Sequence, residues 1–215
     1  MNRCKILSKK LQGFLYVIAA PSGAGKTSLV DHLLKSVDDV KVSISYTTRK
    51  MRPGETNDTE YHFIDDKKFA QMVAADDFLE HAEVYGHSYG TSRHWVTERL
   101  EKGKDIILEI DWQGARQIRQ RFPEAISIFI LPPSLEALKE RLERRKQDSQ
   151  EVIEQRMAQA KSEIEHCCEF DYLVVNDDFG IALSELRRII RSQRLRTAVQ
   201  KHKLAKLLAD LLEKQ

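Results

Sequence analysis

The chain can be read outward from one glycine-rich stretch, Ala20-Pro21-Ser22-Gly23-Ala24-Gly25-Lys26-Thr27. The apolar run before it, 14–19, predicts a buried strand, and the leucines of 26–35 recur at the spacing of one helix face. Between a strand and a helix, such a stretch lets successive backbone N–H groups curl around a phosphate, helped by the positive end of the helix dipole. The stretch therefore predicts a P-loop.

Two residues of this loop carry specific expectations. Lys26 is expected to reach the β- and γ-phosphates of a nucleotide, and Thr27 to ligate Mg²⁺. A turn without a ligand is the weaker interpretation, because the Lys-Thr pair and both flanking elements agree. Ala20 stands where the motif usually has its first glycine, and positive φ there would cost ~1 kcal/mol or more, so we predict negative φ. The predicted ATP-binding residues here are Ala20, Pro21, Ser22, Gly23, Ala24, Gly25, Lys26, Thr27 and Ser28.

Composition limits the class of protein. The 215 residues are 41% hydrophobic and 32% charged, which is typical of a globular domain with a core. The net charge of +2 gives no reason to expect nucleic acid or a membrane surface as a partner. No signal peptide or membrane span is recognisable, and we expect a cytoplasmic protein.

The three cysteines agree with a reducing compartment, because Cys4, Cys167 and Cys168 form an odd set unsuited to a disulfide framework. The run His166-Cys167-Cys168-Glu169 could suggest a metal site. Consecutive side chains on a helix point in different directions, however, so we favour a structural role.

Short apolar runs alternate with helical patterns, which predicts an α/β fold with a mainly parallel sheet. Further strands are predicted at 40–44, 105–110, 126–131 and 172–175. We expect one domain, 1–215, with a core of about 12–44, 92–133 and 170–215, an insertion of about 45–91 with its own small mixed sheet, and a helical lid of about 134–169. Five leucines at helix-face spacing should pack on the body or on a second subunit, which leaves monomer and homo-oligomer open: Leu204, Leu207, Leu208, Leu211 and Leu212.

Several motifs follow the P-loop. Singly, each has an ordinary explanation, since surface arginines usually face solvent and tyrosines usually pack. Together they resemble the guanylate kinase family, and the resemblance extends from the P-loop to 175–178. The motifs are Ser45-Tyr46-Thr47-Thr48-Arg49, Arg52-Pro53-Gly54-Glu55, Glu60-Tyr61-His62-Phe63, Tyr89-Gly90-Thr91 and Glu109-Ile110-Asp111-Trp112-Gln113-Gly114.

The resemblance implies a P-loop NTPase three-layer fold, Mg²⁺ as cofactor, and transfer of the γ-phosphoryl group of ATP to GMP or dGMP. By similarity, Glu80 and Thr91 read guanine, and Ser45 and Asp111 line the same pocket. Glu109 and Asp111 end a predicted strand, where a carboxylate can hold Mg²⁺ through water or anchor an arginine of the GMP site; which residue does which stays open. The residues implied to hold the GMP phosphate are Arg49, Arg52, Tyr61 and Tyr89.

The resemblance also assigns the lid and the adenine side. Arg145 and Arg156 are the implied lid arginines, with Arg141 close by, although a solvated helix face explains these bases equally well. Asn176 matches a position near the adenine of ATP. The implied catalytic residues, which would neutralise charge on the transferred group, are Lys26, Arg49, Arg145 and Arg156.

Guanine has adjacent N1–H and N2 donors, so one carboxylate at Glu80 could accept both, while O6 needs a donor such as Thr91. The acceptor phosphate is mostly dianionic at pH 7 and needs no general base. Two rival functions remain: a kinase for another phosphorylated acceptor, which would not need the Glu80 and Thr91 pair, and a peptide-binding scaffold, in which the phosphate loop would have decayed.

Overall fold

A computed structural model of the protein describes residues 13–84, 86–144 and 149–212. The strands are β1 Leu15–Ala19, β2 Val40–Val42, β3 Tyr46–Thr47, β4 His62–Phe63, β5 Phe78–Val84, β6 His87–Ser92, β7 Asp105–Glu109, β8 Ile126–Leu131 and β9 Tyr172–Val175. The helices are α1 Lys26–Leu34, α2 Asp66–Ala74, α3 Arg93–Glu101, α4 Trp112–Arg121, α5 Leu135–Arg144, α6 Gln150–Glu165, α7 Phe179–Arg194, α8 Thr197–Lys203 and α9 Ala205–Leu212, with a 3-10 turn at Cys167–Glu169.

The main sheet has five strands in the order β2-β7-β1-β8-β9, and all its pairs are parallel. Alternate residues of β1 enter two separate cores: Tyr16 and Ile18 pack with α1 and α7, whereas Leu15 and Val17 pack with α3 and α4. Both faces of the strand are therefore apolar, as in parallel sheets covered by helices on each side. This is the three-layer α/β architecture that the sequence predicts.

A second sheet has the order β4-β3-β6-β5 and combines one parallel pair with two antiparallel pairs. Phe69 and Met72 of α2 pack beneath it against Phe78. The sequence analysis did not identify the hairpin of β5 and β6 or helix α3, because polar residues alternate with small ones along this segment and dilute the apolar pattern. The hairpin contains three of the predicted site residues, Glu80, Tyr89 and Thr91.

The C-terminal leucines do not join either core. Leu204, Leu207, Leu208, Leu211 and Leu212 are between 39% and 79% exposed, and no residue of α9 is buried. Packing on the body, the first of the two expectations, is therefore absent from the described residues. None of the helices in the described ranges is long and apolar enough to cross a membrane.

Candidate active site

The P-loop lies between β1 and α1, at the carboxyl end of the parallel sheet. Gly23 and Gly25 have φ of 94° and 92°, a conformation that costs other residues free energy. Outside glycine, positive φ occurs in the described residues only at Asp39, Asp58 and Asp76, so Ala20 has the predicted negative φ. The loop therefore places its left-handed positions where the sequence supplies glycine.

Asn176 lies beneath this loop. Its Nδ2 donates to the Ala24 carbonyl at 2.7 Å, and a Cβ on Gly25 would come within 2.4 Å of the same nitrogen. Asn176 is buried, and its backbone carbonyl accepts a hydrogen bond from Arg141 Nη2 at 2.8 Å. Asn176 thus supports the back of the P-loop, which is a different contact from the adenine contact implied by resemblance.

A cleft of about 940 Å³ separates the P-loop from the second sheet and from helix α6. Ala24, Thr91 and Asn176 do not line the cleft but are buried directly behind its wall, and Arg145 lies outside the described residues. The predicted site residues that line the cleft are Ala20, Pro21, Ser22, Gly23, Gly25, Lys26, Thr27, Ser28, Ser45, Arg49, Arg52, Tyr61, Glu80, Tyr89, Glu109, Asp111 and Arg156.

Glu80 is the most buried carboxylate of the cleft wall, with 2% of its surface exposed. It faces Thr91 across the β5–β6 hairpin and accepts a hydrogen bond of 2.6 Å from the Thr91 hydroxyl. Burial raises the pKa of Glu80 to about 7; the Thr91 hydrogen bond opposes this shift, and the charge of Asp111 adds to it. A buried carboxyl with a pKa near 7 and few donors around it is suited to a ligand that brings its own N–H groups.

Gly114 makes room for this carboxyl. A Cβ at position 114 would lie 2.6 Å from Glu80 Oε2, inside van der Waals contact. The glycine in the motif that ends at position 114 is therefore explained by a close approach rather than by backbone conformation.

Arg49 lies just after β3 of the second sheet and lines the cleft. Its guanidinium binds both oxygens of Glu55, at 2.7 and 3.0 Å, and lies 5.3 Å from the centre of the Tyr61 ring. The hydrogen bond with Glu55 raises the pKa of Arg49, and the same bond lowers the pKa of Glu55. Tyr61 also contacts Tyr89, with ring centres 5.8 Å apart, so three of the predicted phosphate contacts are brought together.

Glu55 was missed as a site residue. Besides its ion pair with Arg49, Glu55 Oε2 accepts from the backbone N–H of Arg52 at 2.7 Å, which closes the Arg-Pro-Gly-Glu turn. Glu55 thus positions both arginines, and an acidic residue three positions after an arginine in a proline-glycine turn was the available signal.

Asp111 and Glu109, whose roles the sequence left open, have different environments. Asp111 Oδ1 accepts from the backbone N–H of Gly114 at 2.9 Å as the N-cap of α4, and Oδ2 accepts from Gln113 Nε2 at 3.0 Å. Glu109 ends β7 beside the P-loop: burial raises its pKa, while Lys26 and the Thr27 hydroxyl oppose the shift. Asp111 therefore caps α4, whereas Glu109 interacts with Lys26 and Thr27 of the P-loop.

The hydroxyl of Thr27 and the carboxylate of Glu109 are hard oxygen donors of the kind that Mg²⁺ prefers. Within the described ranges, no group of three or more His, Cys, Asp or Glu side chains could hold a metal ion. A cation at this place would therefore complete its shell with water and nucleotide phosphates, as Mg²⁺ commonly does.

One face of α6 forms a third wall of the cleft, and its residues are Val152, Gln155, Arg156, Gln159 and Glu163. Their spacing of three or four residues is that of one helix face. Burial raises the pKa of Glu163 to about 7, with Asp111 adding to the shift and Lys26 opposing it. The sequence analysis missed Glu163, although it lies two helical turns after the predicted Arg156 and therefore shares its face.

Comparisons with known proteins agree with this geometry. A family model described as guanylate kinase matches residues 12–193. The guanylate kinase of Coxiella burnetii is 56% identical over 201 residues, which cover 94% of this chain and 98% of that protein. The guanylate kinase of Hahella chejuensis is 57% identical over 204 residues, covering 95% and 98% respectively. The crystal structure of guanylate kinase from Anaplasma phagocytophilum matches with a TM-score of 0.74 at 33% identity, over 87% of this chain and 89% of that chain.

Proposed function

Because the chain belongs to the guanylate kinase family, we propose that the cleft between the P-loop and the second sheet is where its two nucleotides meet. The protein is an ATP-dependent kinase that converts GMP to GDP. The observation that carries the proposal is that Glu80, hydrogen-bonded to Thr91, lines the same cleft as the P-loop. We propose that the core expected from the sequence binds ATP, that the insertion binds GMP, and that the lid closes over both.

Guanine is proposed to bind at Glu80. Among the described residues, only Thr91 donates hydrogen bonds to the Glu80 carboxylate, which can therefore accept from the N1–H and N2 donors of guanine; adenine would present an acceptor at the same place. A buried polar group left without a partner costs several kcal/mol, so discrimination on the order of 10⁴-fold is attainable. Ser45 and Asp111 would line the same pocket, and GMP and dGMP would share this recognition.

The GMP phosphate is proposed to bind among Arg49, Arg52, Tyr61 and Tyr89. Arg49 is already held in place by Glu55, so its guanidinium needs little reorganisation to receive an anion. The incoming phosphate would share the guanidinium with Glu55 or displace it. In the first case, Glu55 would still link Arg49 to the turn that carries Arg52.

The P-loop amides and Lys26 are proposed to hold the β- and γ-phosphates of ATP, with Ser28 following on α1. Thr27 and Glu109 would hold Mg²⁺. Both carboxylate oxygens of Asp111 accept hydrogen bonds from the first turn of α4, so we assign Asp111 to capping that helix rather than to holding Mg²⁺ through water. When bound, the metal ion neutralises phosphate charge as the γ-phosphoryl group moves in line to the acceptor. The acceptor phosphate is already dianionic near pH 7, so no side chain needs to remove a proton.

Arg156 is proposed as the lid arginine that neutralises the transferred group, since it lies on the cleft face of α6. Arg145 is proposed to join it, although it lies outside the described residues. Glu163 adds a carboxylate to the same face, and the charges of Lys26 and Asp111 both shift its pKa. We propose that it positions Lys26 before nucleotide binding.

The proposal is tested by ADP formation with ATP and Mg²⁺, adding GMP, AMP, CMP, UMP or no acceptor in turn. We expect turnover with GMP that is lost in Lys26→Ala and retained in Lys35→Ala, a control that removes an exposed lysine just after the same helix. Equal turnover with AMP would contradict the assignment of guanine to Glu80. Absence of ADP with every acceptor would contradict the proposed cleft as a whole.

A further inference from the structure

The two adjacent cysteines lie closer together than the sequence analysis allowed. It expected neighbouring side chains of a helix to diverge, but α6 ends before His166 and the chain continues as a 3-10 turn over Cys167–Glu169. In this tighter turn the Sγ atoms of Cys167 and Cys168 are 3.9 Å apart. The side chains of this pair therefore do not diverge as predicted, because the α-helix ends before them.

The distance between the sulfurs fits chelation of one thiophilic centre. Two sulfurs bound at about 2.3 Å to one tetrahedral ion lie about 3.8 Å apart. A metal that requires three or four ligands finds no further ones here, since His166 Nδ1 is already engaged by Glu169 Oε1 at 2.8 Å and no larger ligand group exists in the part of the chain that the structure describes. A centre that needs only two sulfurs therefore fits best.

The exposure of the two cysteines and the protonation of Cys167 limit which reagents can react with them. Cys168 is exposed and Cys167 is partly exposed, so a small reagent reaches both. Burial and the neighbouring Cys168 raise the pKa of Cys167, which keeps its sulfur as a thiol at neutral pH. A protonated thiol is a poor target for oxidants, so Cys167 stays reduced and its sulfur remains available to a reagent that takes two sulfurs.

We propose that Cys167 and Cys168 form a dithiol site that takes a trivalent, monosubstituted arsenical. The reaction is a condensation without change of oxidation state: an arsenoxide, R–As=O, and two thiols give R–As(S–Cys)₂ and one water. Two As–S bonds form, the As–O and two S–H bonds break, and both protons leave with the oxygen.

The position of the dithiol connects it to the lid. The His166 ring, next to Cys167, stacks on Trp112 at 3.6 Å between centres, and Glu169 binds Arg116 of α4 at 2.5 Å. Trp112 directly follows Asp111, the cap of α4 on the cleft wall. A ring closed through arsenic would hold the 3-10 turn between α6 and its contacts with α4 in one geometry. It would therefore oppose movement of α6 toward the cleft.

The site is tested with phenylarsine oxide, followed by mass spectrometry of the intact protein. We expect one adduct that survives excess 2-mercaptoethanol, a monothiol, and is removed by 2,3-dimercaptopropanol, because only a dithiol competes with two sulfurs. Cys167→Ser and Cys168→Ser should each lose the stable adduct, whereas Cys4→Ser should retain it. A stable adduct in Cys168→Ser, or removal by the monothiol from the wild-type protein, would overturn the proposal.

Turnover with GMP tests the connection to the lid separately. The arsenical should lower kcat several-fold in the wild-type protein and leave Cys168→Ser unaffected, since lid movement commonly limits such rates. A stable adduct with unchanged kcat would overturn the connection to the lid and leave the dithiol site standing. Adduct formation is measured by mass, so it does not depend on the kinase reaction.

Discussion

At the scale of single residues, Glu80 shows how position changes the chemistry of an ordinary carboxyl group. Burial raises its pKa to about 7, so near neutral pH the free enzyme contains both protonation states. Guanine donors require the ionised state, because a protonated carboxyl offers one acceptor fewer and a donor in the wrong place. Binding of GMP is therefore expected to be coupled to the loss of a proton from Glu80.

This coupling predicts a pH dependence of the KM for GMP. Since the pKa of Glu80 is raised, the binding-competent ionised form dominates above about pH 7 and is lost as the pH falls below it, so KM should rise by up to about tenfold per pH unit. Initial rates between about pH 8 and 6.5 test this, because that window stays above the second pKa of the phosphate, which is near 6. Glu80→Gln should have a raised and nearly pH-independent KM in this window, and the KM for ATP should stay flat. A constant KM for GMP in the wild-type protein would refute the coupling.

Gly114 gives a second prediction at this scale. In Gly114→Ala the new Cβ would come within 2.6 Å of Glu80 Oε2 and displace the carboxyl, so kcat/KM for GMP should fall at least about tenfold, as expected for loss of a buried polar contact. The KM for ATP should not change. Gly180→Ala in α7 is the matched control, because it also adds a methyl group near a helix N-terminus and a carboxylate, 3.2 Å from Asp178 Oδ1, but does not line the cleft. Similar losses in both variants would show that the effect is not specific to Glu80.

At the scale of elements, α4 joins the proposed guanine site to the main sheet. Its N-cap is Asp111, a residue of the cleft wall, and its third residue is Gly114, which accommodates Glu80. Arg121 near its C-terminal end donates to the carbonyls of Phe78 and Leu79 on β5, at 3.1 and 2.7 Å. The helix therefore contacts the hairpin at both ends, and this fixes where Glu80 stands relative to the sheet.

Asp111 should consequently have a structural effect distinct from its effect on GMP. Asp111→Ala removes the cap, and we expect the free energy of unfolding to fall by about 1 kcal/mol, whereas Asp111→Asn keeps an acceptor oxygen and should lose little. Urea denaturation followed by circular dichroism measures the difference. The control is Asp178→Ala, which removes the equivalent cap of α7, where Asp178 Oδ1 accepts from Ile181 N–H at 2.8 Å. The control should lose similar stability without raising the KM for GMP; unchanged stability in Asp111→Ala would contradict the cap.

At the scale of the whole molecule, we expect the three walls of the wide cleft to approach one another during the reaction. The P-loop, the second sheet and α6 enclose about 940 Å³, and water within such a space would compete with GMP as the acceptor. Arg156 and Glu163 belong to α6, so both would move with it. Closure around both nucleotides is therefore part of the proposed function.

Small-angle scattering tests this closure. The radius of gyration should decrease when GMP and a non-hydrolysable ATP analogue are bound together, and should decrease less with either one alone, because each nucleotide touches only part of the enclosing surface. Comparison with the Glu80→Gln variant under the same conditions controls for effects of the ATP analogue alone. An unchanged radius with both nucleotides bound would count against a moving lid.

Much of the fold was accessible from the sequence because its signals are local. The strands at 126–131 and 172–175 were predicted with their observed bounds, and the P-loop was predicted down to the sign of φ at Ala20. The β5–β6 hairpin was not recognised, since its apolar pattern is interrupted by the polar residues that serve the cleft. Contacts such as Glu55 with Arg49 and Asn176 with Ala24 depend on folded turns and packed layers, which no local pattern records.

The sequence by itself determined that this chain is an α/β P-loop protein with the motifs of the guanylate kinase family, because backbone conformation at glycines and apolar periodicity depend on consecutive residues. Only the tertiary structure decided that Asp111 caps α4, that Glu163 shares the cleft face with Arg156, and that the two cysteine sulfurs converge. The physical reason is that burial, shifted pKa values and close approaches arise between elements distant in the chain, and packing alone sets those distances.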